Sequence, residues 1–258
     1  MDLFSYIIPI VFGLIIGSFL NVCIFRLPDN RSIVYPGSHC PSCGHAIAWY
    51  DNIPLLSYII LRGRCRYCHA RISLQYPVVE TLTAIVMLLL AYPYPPLHTA
   101  KFWVYSIFAS SLIVISFIDL KHYIIPDIIT MPGIPLGVIC SWFFTETGIK
   151  NALAGGFTGF LFLLLVAEGY RIITGNDGMG GGDIKLAGMI GTFTGLEGVL
   201  FSILFGAMSG AIVGSIILWK AKKDSKTPIP FGPFLSTGAI IYILYARGWM
   251  EIIVQLRY

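Results

Sequence analysis

Apolar residues in this chain cluster into long runs separated by polar segments. The first run covers residues 3–26, and a polar stretch rich in Arg, Pro, Gly and Cys follows over 27–75. Further apolar runs cover 76–92, 101–120, 124–144, 152–173, 198–219 and 231–254. About 20 apolar residues are needed for a helix to cross the hydrocarbon core of a bilayer, so each run reads as a membrane helix. Pro93-Tyr94-Pro95-Pro96 stops the second run. Pro126, Pro132 and Pro135 imply that the first turns of the fourth are broken or kinked. Residues 184–193 are apolar but short, and read as an inner helix ending near Thr194-Gly195. The pattern therefore predicts an all-α polytopic membrane protein of about eight transmembrane helices carrying one small insert. Its parts are a first transmembrane helix (1–26), an insert (27–75) and a helical membrane domain (76–258).

Composition agrees. Of 258 residues, 56% are hydrophobic and 12% are charged, against about 25% charged in soluble domains. The first run is too long for the core of a signal peptide and lacks a basic leader, so it reads as a retained span. With eight spans and an external N-terminus, only Lys101, Lys150, Arg247 and Arg257 of the 17 lysines and arginines fall outside. The rest, including Lys220, Lys222, Lys223 and Lys226, lie on the inner side, as the positive-inside rule requires. That orientation puts the insert in the cytosol. Membrane lipid is the expected surrounding, and no nucleic acid is expected as a partner.

Cys40-Pro-Ser-Cys43 and Cys65-Arg-Tyr-Cys68 form two C-x2-C pairs inside the insert. Each pair suits a turn presenting two thiolates to Zn²⁺, and two such turns close a tetrahedral structural site. Gly44 and Gly63 suit the tight turns. A segment this short buries little core, so a metal would supply missing folding free energy. Two disulfides are the competing arrangement, disfavoured in a reducing cytosol. His39, His45 and His69 flank the cysteines as solvated or outer partners, while Cys23 and Cys140 lie in apolar runs as packing residues.

Asp119 closes one apolar run and Asp183 follows Gly178-Met179-Gly180-Gly181-Gly182. Ionisable groups at membrane depth are costly and mark functional sites. The helix count places both at the cytosolic edge, in one layer. Two carboxylates sharing a proton can run acid–base chemistry on an amide. The glycines before Asp183 would let an extended substrate approach the backbone. The bland alternative is that both acids merely face water at helix ends. Asp127 is a rival partner for Asp119, read as a supporting or capping residue, and Lys185 reads as a topology anchor.

These strings, taken in order, resemble the type IV prepilin leader peptidases. They are Gly17-Ser18-Phe19-Leu20-Asn21-Val22 with Arg26-Leu27-Pro28, the cysteine pairs around Asn52-Ile53-Pro54, Tyr76-Pro77-Val78-Val79-Glu80, the Asp119 segment with Ile125-Pro126-Asp127, and Gly180-Gly181-Gly182-Asp183-Ile184-Lys185. The resemblance implies a G-x-G-D aspartyl protease of the bacterial inner membrane with Asp119 and Asp183 as its dyad. Implied substrates are prepilins and pseudopilins, cut after a glycine at the end of a short basic leader. It also implies methylation of the new N-terminal amine from S-adenosylmethionine, a step for which the residues themselves give no independent sign. Candidates for that step are the family-matching Asn21, Arg26, Gly63 and Glu80. The rival class is an ion-coupled transporter with intramembrane carboxylates, which would place its charges near the bilayer midplane. A zinc protease is opposed by the lack of any H-E-x-x-H string.

Overall fold

The computed structural model describes residues 4–96, 99–221 and 229–255. Lys222, Lys223, Lys226 and Arg257, used above for orientation, lie outside the described residues. Helices account for the whole architecture: α1 (Phe4–Arg26), a short α2 (Leu56–Ile60), α3 (Gln75–Ala91), α4 (Ala100–His122), α5 (Asp127–Phe143), α6 (Ile149–Thr174), α7 (Gly181–Ala221) and α8 (Gly232–Gln255). Among the described residues the only extended pairing is two isolated bridges in the insert, His39 with Ala46 and Arg64 with Arg71.

Among the described residues, four stretches are long and apolar enough to cross a membrane: Tyr6–Asp29, Ala100–His122, Gly148–Thr174 and Gly181–Ile216. Gln75–Ala91, Asp127–Phe143 and Gly232–Tyr245 are shorter apolar helices. Large apolar side chains such as Ile107, Phe157, Leu165, Ile172 and Ile173 stand outward from these helices. Faces of that kind need a lipid surround rather than water. Several such helices make this a multi-pass membrane protein.

The sixth and seventh apolar runs form one continuous element with a break. Gly195 leaves helical geometry at φ 75°, ψ −172°, a backbone state open to glycine at little cost. Asn151 of α6 accepts the Leu196 N–H at 3.0 Å there, replacing a helical bond lost at the break. Counting its two halves separately gives eight helical segments besides α2. The fourth run differs in detail from the expectation. Its helix begins only at Asp127, directly after Pro126, and carries Pro132 and Pro135 inside a continuous helix.

The chain divides into two compact units, residues 1–114 and 115–258, with the boundary inside α4. In the first, α1 packs on α3 through glycines. A Cβ on Gly17 would come within 2.6 Å of the Glu80 Cα, so the two backbones approach as only small residues permit. In the second, α7 is the centre and packs on α5, α6 and α8. Gly155 of α6 leaves room for the carbonyls of Gly191 and Gly195, which a Cβ would meet at 2.6 and 2.7 Å. Ser141 of α5 donates to the Thr192 carbonyl at 2.7 Å, joining α5 to the first half of α7.

Candidate functional site: a carboxylate cavity and a four-cysteine cluster

Asp119 lies in the last turn of α4. Tyr123 ends that helix in the left-handed region, φ 57°, with its N–H on the Asp119 carbonyl at 2.9 Å. The chain then runs extended to Pro126 and opens α5 at Asp127. Asp183 lies in the first turn of α7, with its N–H on the Gly180 carbonyl at 3.1 Å. The two helix ends meet. Asp119 and Asp183 line one cavity of about 300 Å³ together with Tyr123, Ile125, Asp127 and Gly180. Both carboxylates are buried, at 5% and 9% exposure. Gly182 presses on Ile125, where a Cβ would come within 2.8 Å. Gly181 has open space around it, as a cleft-lining position requires.

A third element enters this site that the sequence reading did not assign. The N–H of Gly232, the first residue of α8, donates to Oδ2 of Asp119 at 3.0 Å. The sequence does carry a signal for it, since Gly232 stands between Phe231 and Pro233 with Pro230 just before. Such a proline-flanked glycine marks a helix start with close backbone approach. At the rim, Lys185 reaches both oxygens of Asp127 at 2.9 and 2.7 Å. Asp127 is thus held in an ion pair beside the cavity.

In the insert the four Sγ atoms of Cys40, Cys43, Cys65 and Cys68 lie within 4.8 Å of one another. Cys40 and Cys68 are 3.8 Å apart. A tetrahedral Zn²⁺ with sulfur ligands at about 2.3 Å spaces them about 3.8 Å apart, so the cluster could hold that ion with little movement. The two turns repeat one design. Cys40 N–H bonds the His45 carbonyl at 2.9 Å and Gly44 N–H the Cys40 carbonyl at 2.8 Å; Cys65 N–H bonds Ala70 at 2.9 Å and His69 N–H bonds Cys65 at 3.0 Å. The left-handed position after the second cysteine is Gly44 in one turn (φ 71°) and His69 in the other (φ 56°). Gly63, just before the second pair, makes the left-handed turn that ends α2 (φ 65°), with its N–H on the Tyr58 carbonyl at 2.9 Å and its own carbonyl accepting the Ile72 N–H at 2.8 Å. The Cys43 backbone N–H, foremost among several donors, draws the Cys40 thiol down to about 6. Cys68 receives the Ala70 N–H, which lowers it, yet burial and the hydrogen bonds its own S–H gives to the neighbouring sulfurs push it up to about 11.

The remaining candidates occupy the first unit. Asn21 donates to the carbonyls of Gly17 at 3.2 Å and Tyr76 at 3.1 Å, while its Oδ1 is buried without a partner. Arg26 donates to the carbonyls of Ser32 at 2.9 Å and Gly37 at 3.3 Å. Glu80 accepts the Leu55 N–H at 2.8 Å, and Leu55 sits in the left-handed region at φ 57°. All three side chains are buried; Arg26 and Glu80 tie the insert's backbone to α1 and α3, and Asn21 ties α1 to α3.

Comparison with known proteins follows the same division of the chain. Residues 11–94 match the bacterial peptidase A24 N-terminal domain, and residues 106–215 match the type IV leader peptidase family. A prepilin leader peptidase/N-methyltransferase of Pseudomonas aeruginosa is 35% identical over 92% of this chain and 89% of that protein. The chain belongs to the type IV leader peptidase family. A further member, from Xanthomonas campestris pv. campestris and carrying the same name, is 38% identical over 93% of this chain and 91% of its own length. One from Pectobacterium carotovorum is 35% identical over 89% of each. No solved structure matches. The cavity aspartates and the cysteine turns of this leader peptidase relative thus fall in different matched segments, 106–215 and 11–94 respectively.

Proposed function

We propose that this protein is a membrane aspartyl endopeptidase that removes the leader from type IV prepilins and pseudopilins, with Asp119 and Asp183 as its catalytic dyad, and then N-methylates the new terminus. The observation that carries the dyad is the meeting of two buried carboxylates from different helices in one cavity. An ionised carboxylate takes a proton from water as its oxygen attacks the scissile carbonyl carbon. The protonated partner gives its proton to the carbonyl oxygen, and the tetrahedral species collapses with the amine leaving protonated. Gly180 to Gly182 offer open backbone beside the dyad, suited to a substrate segment that must be extended to be cut.

The carboxylates lie at helix ends, against the mid-membrane placement a transporter needs, and the family match leaves that alternative unsupported. The protein acts from the bacterial inner membrane, with the insert and both aspartates on the cytosolic side. This follows from the lysine and arginine distribution. In the insert, Cys40, Cys43, Cys65 and Cys68 hold a structural Zn²⁺. Four sulfurs leave no open position, so the ion folds the insert and takes no part in hydrolysis.

S-adenosylmethionine, when bound, supplies the methyl group. Arg26 and Glu80 already spend their polar atoms on the insert's backbone. That suits residues that position the insert better than residues that touch the donor. The deciding experiment incubates purified enzyme with a prepilin and S-adenosylmethionine and weighs the product. Wild type should remove the leader and add one methyl group. Asp119→Asn and Asp183→Asn should each lose leader removal by about 10³-fold or more. Normal processing by either variant would end the dyad assignment.

A further inference from the structure

The two cavity aspartates sit in unequal surroundings. Oδ2 of Asp119 accepts the Gly232 N–H at 3.0 Å. That N–H belongs to the first turn of α8, where backbone donors lack helical acceptors and the helix dipole favours negative charge. The fit is close, because a Cβ on Gly232 would stand 2.7 Å from Oδ2 and 3.2 Å from Ile125 Cδ1. Asp183 differs. Its Oδ1 is fully buried and has no hydrogen-bond partner, and its Oδ2 lies on the Gly180 side. A buried anionic oxygen without a donor is costly, so the neutral acid is favoured at Asp183, which can then donate its proton into the cavity it lines. Two carboxylates facing one small cavity also resist ionising together.

We infer that the Gly232 N–H makes the dyad asymmetric, holding Asp119 as the ionised member and leaving the shared proton on Asp183. This rests on the dyad reading above and deepens it by assigning the roles. Asp119 takes the proton from water as the O–C bond forms and Asp183 protonates the carbonyl oxygen; as the C–N bond breaks, the proton on Asp119 passes to the amine and one hydroxyl proton of the tetrahedral species returns to Asp183. Gly232 is then a positioning residue that acts through Asp119. The other titratable groups on the cavity are Tyr123 and Asp127, and the charge of Asp127 is met by Lys185.

The test is the pH profile of kcat/KM for leader cleavage in wild type and Gly232→Ala. Displacing one hydrogen bond to a charged group should lower cleavage about ten- to a hundredfold and raise the acidic limb by about 1–2 pH units. The limb rises because the anion loses its donor and is protonated more easily. A rate loss with the limb unmoved overturns the inference. Should Gly232→Ala fail to fold, infrared spectra of wild type, Asp119→Asn and Asp183→Asn at neutral pH decide instead. A protonated-carboxyl band lost only in Asp183→Asn is expected, and any other pattern overturns the assignment. Retained cleavage in either Asn variant would sink the dyad itself. Inactive variants with the wrong band pattern would sink only the asymmetry.

Discussion

The cysteine cluster and the carboxylate cavity differ in how far apart in sequence their parts lie. Cys40, Cys43, Cys65 and Cys68 come from two short turns, each shaped by hydrogen bonds within about six residues of the first cysteine. The cavity draws Asp119 from the end of α4, Asp183 from the start of α7 and the Gly232 N–H from the start of α8. Turn chemistry builds the first kind of site and helix packing builds the second. Each should therefore fail under different perturbations.

The largest effect should come from the metal. Chelation, or Cys40→Ser with Cys65→Ser, should empty the cluster and unfold the insert, because structural zinc supplies on the order of 10 kcal/mol to small metal-folded segments. Metal analysis and limited proteolysis would read it: new cuts within 27–75 with α5 to α7 still protected. Protection of the insert after metal removal would break the comparison. A smaller effect is expected in the other unit. Gly155→Val forces a branched side chain against the carbonyls of Gly191 and Gly195, and overpacking of that kind costs about 1–3 kcal/mol. Melting in detergent should drop while bound zinc stays at one per chain; loss of zinc in this variant would show that the two sites are not independent.

The smallest effect belongs to the insert's surface. Arg66 binds both oxygens of Asp51, at 2.6 to 3.1 Å, and these hydrogen bonds hold the Asp51 carboxyl below its ordinary value. A depressed carboxyl stabilises the fold above its unfolded value and loses that contribution as pH falls through the folded one. Asp51→Asn should therefore lower the melting temperature slightly at neutral pH and make no difference in strong acid. Arg66 is half exposed, so solvent screening keeps the effect small. An equal deficit at all pH values would show that packing, and not charge, matters there.

Much of this was legible in the chain. The helices follow from runs of apolar length, and the break near Thr194-Gly195 follows from a glycine at the end of a short run. The C-x2-C pairs announce a four-sulfur site because spacing alone nearly determines the turn. What the sequence did not disclose was the left-handed position after the second pair: such backbone is usually glycine's, yet here His69 adopts it within the turn. Glu80 shows the converse limit. Its charge at a helix start was legible, but not that its carboxylate accepts the N–H of Leu55 from a distant loop.

By itself, then, the sequence determined that the chain is helical, membrane-embedded and supplied with a sulfur-ligand cluster, because those properties depend on composition and near-neighbour spacing. Only the tertiary structure decided that Asp119 and Asp183 share a cavity and that Gly232 donates to one of them. Helix ends far apart in sequence are brought together by glycine-lined crossings, and which ends meet is a property of the whole packing.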